Sequence, residues 1–97
     1  MNVFDKASWH IDGGENEKEV VDRFRKIFQF LSSKGWLTDE GIETFEVGMD
    51  SSVSLNSDMV TDQGNAFLTN YYDSILDEDP KDWEKHLEEA YQAFCSE

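Results

Sequence analysis

Acids dominate the side chains able to do chemistry in this 97-residue chain, with 22 Asp and Glu against 2 His and 1 Cys. Hydrolytic or phosphoryl-transfer chemistry sets carboxylates beside a His or Lys in a defined constellation. Here His10 and His86 are far apart, and no HExxH, CxxC, P-loop or GxGxxG pattern occurs. Each imidazole therefore reads as a packed or surface side chain. Cys95 has no neighbouring His to activate it and reads as a reduced thiol near the end of a helix. Two oxygen-rich stretches, "DSSVSLNSD" at 50–58 and "DSILDEDPKDWE" at 73–84, could offer ligands to calcium. Neither has the sixth-position Gly or the spacing of an EF-hand loop. The expectation is a protein that is not an enzyme and uses no metal or cofactor.

A Thr-Asp-x-Gly unit appears twice, as "WLTDEG" at 36–41 and "MVTDQG" at 59–64. Thr before an acid is a helix-start signal, since the hydroxyl accepts from a free N–H of the first turn while the acid meets the positive end of the helix. With Asp39 and Asp62 already there, each start is a poor anion site. Both copies read as construction, not as a repeated ligand site, and no solenoid period runs through the rest of the chain.

Charge placement is more informative. The 8 bases against 22 acids leave a net charge of −14. Between Lys34 and Lys81 there is no Lys or Arg, while residues 35–80 carry eleven acids. A surface shaped only for solubility mixes both signs; withholding bases over nearly half the chain adds self-repulsion to the folded state. Such a field repels phosphate backbones and anionic lipid and attracts basic proteins. The expected partner is a basic protein, with neither direct nucleic-acid binding nor a membrane. Interleaved aromatics (Tyr71, Tyr72, Trp83) would anchor a contact that charge steers. Neighbours on a helix lie about 100° apart, so Tyr71 and Tyr72 cannot both face the core squarely. The candidate contact residues are Asp39, Glu40, Glu43, Glu46, Asp50, Asp58, Asp62, Tyr72, Asp73, Asp77, Glu78, Asp79 and Asp82.

The elements that must position them are mainly helical. Seven Phe, three Trp and three Tyr can fill the core of one small domain over 1–97. Val20, Phe24, Ile27, Phe28 and Leu31 form one apolar stripe, predicting a helix near 16–34 that Gly35 ends in a left-handed conformation. Thr38 and Gly48 bracket a helix at 39–47, with Leu37 and Ile42 spaced as a hydrophobic staple. Phe67, Leu68, Tyr71, Tyr72, Ile75 and Leu76 predict a helix at 62–77. Asp79 and Pro80 open another at 80–95, along which Trp83, Leu87, Ala90, Tyr91 and Phe94 recur. Residues 1–14 read as an extended arm or short strand, placed at 7–11. Val53 and Leu55 alternate with Ser, as in a second short strand that could pair with it. The fold class is mainly α, about four helices in one domain with a minor two-stranded β-ribbon. The start, "MNVFDKASWH", has early acids and no apolar run, and no segment approaches the roughly 18 apolar residues of a membrane span. A cytoplasmic protein is expected.

The stretch "GWLTDEGIETFEVGMDSSVSLNSDMVTDQGNAFLTNYYDSIL", together with the small size, strong acidity and lack of catalytic residues, resembles the immunity proteins of bacterial toxin–immunity systems, including those of contact-dependent growth inhibition. Such proteins are made alongside a toxin domain, often a basic nuclease, and block it by binding. The resemblance lies in the character of the whole chain; it implies a function, not an architecture, and carries over no residues. Two alternatives use the same composition. A DNA-mimic inhibitor of the antirestriction type would space its carboxylates like phosphates along an elongated surface. An adaptor domain would rely on its aromatic surface, with acidity incidental.

Overall fold

A computed structural model of the protein describes residues 3–76 and 83–96, without the side chains of Leu76 and Trp83. The chain runs β1 (Val3–Lys6), α1 (Ala7–Asp12), α2 (Glu17–Ser33), α3 (Asp39–Val47), β2 (Ser54–Asn56), α4 (Asp62–Leu76) and α5 (Trp83–Cys95). It is one mainly helical domain with a small antiparallel sheet, as the apolar periodicities predict.

α2 is the central element. Asn16 caps it by accepting from the Glu19 N–H, and Glu17 and Glu19 sit in the first turn. The whole predicted stripe is buried, together with Val21 and Phe30. At the other end Gly35 adopts φ 72°, a region open to glycine at little cost. There the Trp36 N–H returns to the Leu31 carbonyl and the Gly35 N–H to that of Ser32, the paired bonds of a Schellman ending. Trp36 thereby folds back onto Phe30, opening an aromatic cluster with Phe67, Tyr71, Tyr91 and Phe94. α5 packs on this cluster through half-buried Tyr91 and Phe94 and buried Leu87. Lys34 fastens it further, with its ammonium 4.1 Å from the Tyr91 ring centre and 3.2 Å from the Glu88 carboxylate.

The two Thr-Asp-x-Gly copies meet in space. Leu37 and Val60 form an isolated antiparallel bridge. The Thr38 N–H donates to the Met59 carbonyl (3.0 Å) and the Thr61 N–H to the Trp36 carbonyl (2.8 Å). Within each copy the Thr hydroxyl accepts from the Gly N–H three residues on, at 3.3 Å in both. Thr38 matches Thr61, Gly41 matches Gly64, and these four bonds fall into two matching pairs, so a local pseudo-two-fold relates the starts of α3 and α4. Small residues let the backbones approach. A Cβ on Gly41 would lie 2.2 Å from the Met59 carbonyl oxygen, and one on Gly64 3.1 Å from the Trp36 carbonyl oxygen and Cβ.

Three sequence expectations need correction. Residues 7–11 are not a strand: they lie in α1, and the strand is β1, one turn earlier in the chain. β2 accordingly pairs with Val3–Lys6, in the register Val3↔Asn56, Asp5↔Leu55, Lys6↔Ser54. Ile42 does not close a staple into the core; it is 39% exposed, and Gly41 is what lies against the Leu37 side chain. The predicted start of the last helix at Asp79–Pro80, and residue 77 of the helix before it, lie outside the described residues.

Candidate functional site

α3 lies at the edge of the domain, and Gly41 is its one buried residue. After Gly48, at φ 110°, the chain turns back alongside it. Between the helix and the returning segment runs a solvent-facing groove of about 480 Å³. Glu40, Glu43, Thr44 and Val47, at i, i+3, i+4 and i+7 on one helical face, form the first wall. Gly48–Asp50 and Ser52–Ser54 form the second, and Met59 reaches in from the pseudo-two-fold crossing. Val47 is 80% exposed, while Met49 and Met59 are half-buried against the core. The Thr44 hydroxyl lies 3.5 Å from the Met59 sulfur, which ties the thioether to the helix.

Three of the predicted contact residues, Glu40, Glu43 and Asp50, meet at this groove. Asp50 accepts from the Ser52 hydroxyl and from the Ser52 N–H at 2.8 Å; these two bonds hold its carboxyl below the ordinary value and so keep it ionised. Its other side borders a smaller hollow shared with Lys18 and Arg25 of α2. Asp39, Asp58 and Asp62 gather instead around the crossing, where the Thr38 hydroxyl donates to the Asp58 carbonyl. Glu46 is exposed on α3 away from the groove lining, and Asp73 is exposed near the far end of α4. Asp77, Glu78, Asp79 and Asp82 lie outside the described residues.

Tyr72 has to be withdrawn as a contact residue: it is only 2% exposed. Of the adjacent pair, Tyr71 is the half-buried one, stacked on Phe67 with ring centres 5.6 Å apart. The Tyr72 hydroxyl donates to Asp5 Oδ2 at 2.7 Å. Burial, then the neighbouring Asp5 charge, pushes the phenol well above the ordinary tyrosine range.

That contact belongs to a chain of polar groups invisible in the sequence. Register puts Asp5 opposite Leu55, on the face of the sheet that meets the core, and the carboxylate is 3% exposed. The register shifts by one residue between Val3 and Asp5, an irregularity of the kind a β-bulge makes. A buried carboxylate is tolerable only when fully paired. Asp5 accepts from Tyr72 and from the Lys6 N–H, and His10 Nε2 lies 2.8 Å from its Oδ2. His10 Nδ1 lies 2.9 Å from Glu15, whose other oxygen accepts from Arg23. Desolvation raises the Glu15 carboxyl, but Arg23 and His10 outweigh it and hold the carboxyl below the ordinary value. The chain links β1, α1, α2 and α4, so its work is to fasten the N-terminal arm to the core.

Three acids beside α2 have cations: Glu15–Arg23, Asp22–Arg25 and Glu88–Lys34. Glu17 and Glu19, in the first turn of α2, are exposed and make no ion pair with a Lys or Arg among the described residues. The eight described candidate acids, Asp39, Glu40, Glu43, Glu46, Asp50, Asp58, Asp62 and Asp73, are all exposed. Among the described residues none of them pairs with a Lys or Arg. Val47, Met49, Val53 and Met59, which line the groove, were not among the sequence candidates; the signal available was "EVGMD", two large apolar residues bracketing a helix-ending glycine. No helix of the described residues is long and apolar enough to cross a membrane.

Comparisons with protein-family models, with curated proteins and with solved structures found no match to this chain.

Proposed function

We propose that this is an immunity-type inhibitor, which binds a basic toxin domain, a nuclease by preference, and occludes its Lys/Arg-rich cleft. The observation that carries the reading is the set of eight exposed carboxylates that make no ion pair with a Lys or Arg among the described residues. Self-repulsion disfavours such an arrangement in the free protein, and a cationic partner relieves it. A nuclease cleft, built to hold polyphosphate, supplies the opposite sign. Occlusion asks no chemistry of the inhibitor. The groove combines acids with thioether and valine side chains, which suits a protein surface better than mimicry of a bare phosphate ladder.

The test is co-expression with the product of the adjacent gene, reading rescue of growth and recovery of a stable complex. Rescue with a one-to-one or other fixed-ratio complex is expected. Failure to rescue, combined with competition against DNA on several unrelated DNA-binding enzymes, would replace this reading by DNA mimicry.

A further inference from the structure

Resting on that reading, we propose that the groove between α3 and residues 48–54 is the anchoring site, and that its occupant is an arginine side chain of the basic partner. Two properties of the lining point to this residue type together. The apolar part (Val47, Met49 and Met59) is too narrow in extent for a hydrophobic core contact yet suits the three-methylene stem of one long side chain. The polar part is anionic on both walls, with Glu40 and Glu43 on the helix and Asp50 opposite. An aliphatic residue would leave the carboxylates desolvated and unpaired; a short cation would leave the thioethers unfilled. Arginine meets both, its stem on the sulfurs and its planar fork of donors on the carboxylates. Methionine is suited to the stem because an unbranched, polarizable side chain adjusts to what lies on it. The volume of about 480 Å³ lies within the range of clefts that hold small ligands.

The site can be probed without the partner. The chain has three methionines, so a sample labelled at the methionine methyl gives three signals, assignable with Met49→Leu and Met59→Leu. The probes are three otherwise identical pentapeptides, blocked at both ends, with arginine, its uncharged isostere citrulline, or norleucine at the centre of a glycine frame. The arginine peptide should move the Met49 and Met59 signals saturably, with affinity at least fivefold above the citrulline and norleucine peptides. Glu43→Gln combined with Asp50→Asn should lower that affinity at least fivefold in a variant that circular dichroism shows to be folded. Equal response to norleucine would overturn the proposal in favour of a purely apolar site. Amide shifts as large around Glu46 and Asp73 as around the groove would overturn it in favour of diffuse ion attraction. The double variant also goes into the growth-rescue assay. Undiminished rescue refutes the groove as anchor and leaves the inhibitor reading standing. Specific arginine binding with no rescue by the natural protein refutes the inhibitor reading and leaves the groove.

Discussion

The crossing of the two helix starts makes a prediction whose sign opposes the usual rule. Replacing a helical Gly by Ala ordinarily stabilises, by up to about 1 kcal/mol, because the unfolded chain loses freedom and the helix gains propensity. Neither Gly41 nor Gly64 has a positive φ, so backbone strain does not complicate the comparison. At Gly41, however, the new methyl would stand 2.2 Å from the Met59 carbonyl oxygen, a backbone atom that cannot swing aside. Relief means moving the start of α3 by more than 1 Å relative to the 59–61 segment, a shift on the order of the clash. That movement strains the Thr38 N–H bond to Met59 and the Thr38 hydroxyl bond to Asp58. Overpacking of about 1–3 kcal/mol plus about 1 kcal/mol for each weakened bond, less the propensity gain, gives about 2–4 kcal/mol of destabilisation for Gly41→Ala. For a domain of this size that lowers Tm by at least about 8 °C. Gly64→Ala meets its neighbours at 3.1 Å, where a few tenths of an ångström suffice, so its change should stay within about 1 kcal/mol of zero. Thermal and urea unfolding followed by circular dichroism measure both. A Gly41→Ala protein as stable as the natural one, or no less stable than Gly64→Ala, would refute the close approach at the crossing.

Four other outcomes are expected. Tyr72→Phe removes a buried donor from Asp5 and should cost about 1.5–3 kcal/mol in urea unfolding, the range for bonds to a charged group. Because the folded-state Tyr72 phenol titrates well above the usual 10.0, stability is fully present below pH 10 and declines as pH rises beyond it; Tyr72→Phe should flatten that part of the curve measured from pH 9 to 12. The Glu15 carboxyl titrates below its usual 4.5 in the folded state, so its contribution is present above that pH and lost on acidification; comparing urea midpoints at pH 6 and pH 3 should show a smaller drop for Glu15→Gln than for the natural protein. Association with the basic partner should slow as salt rises from low to physiological levels, and Glu40→Lys with Glu43→Lys should slow it further in a variant that circular dichroism shows to be folded; stopped-flow rates independent of salt would remove the steering role of the acids.

Local signals carried most of the helical architecture into the sequence. The α2 stripe, its Gly35 ending and the Thr38 and Thr61 caps all act within a turn or two of chain, so residue spacing alone exposes them. What stayed hidden depends on distant partners. Residues 7–11 read as a short strand, yet β2 pairs with Val3–Lys6 and α1 follows directly. Tyr72 looked like a surface aromatic because no sequence pattern ties it to Asp5, 67 positions away. The acids of the groove were legible because bases were missing around them; its apolar lining was not, because Val47 and Met49 fall where one helix ends and share no period with Met59.

The Leu37↔Val60 bridge also has a bearing on how the binding surface can change over time. Because the chain enters and leaves through one pinned neck, α3 and the segment after it form a loop whose ends are held whatever their middle contains. Inside it Phe45, Met49, Val53, Leu55 and Asn56 reach down to the sheet and core, while Glu40, Glu43, Val47 and Asp50 are exposed. A lineage pressed to follow a changing partner can therefore rewrite those four positions one at a time, each step close to neutral for folding, and keep the neck residues Thr38, Gly41, Thr61 and Gly64 as the fixed hem of the variable cloth.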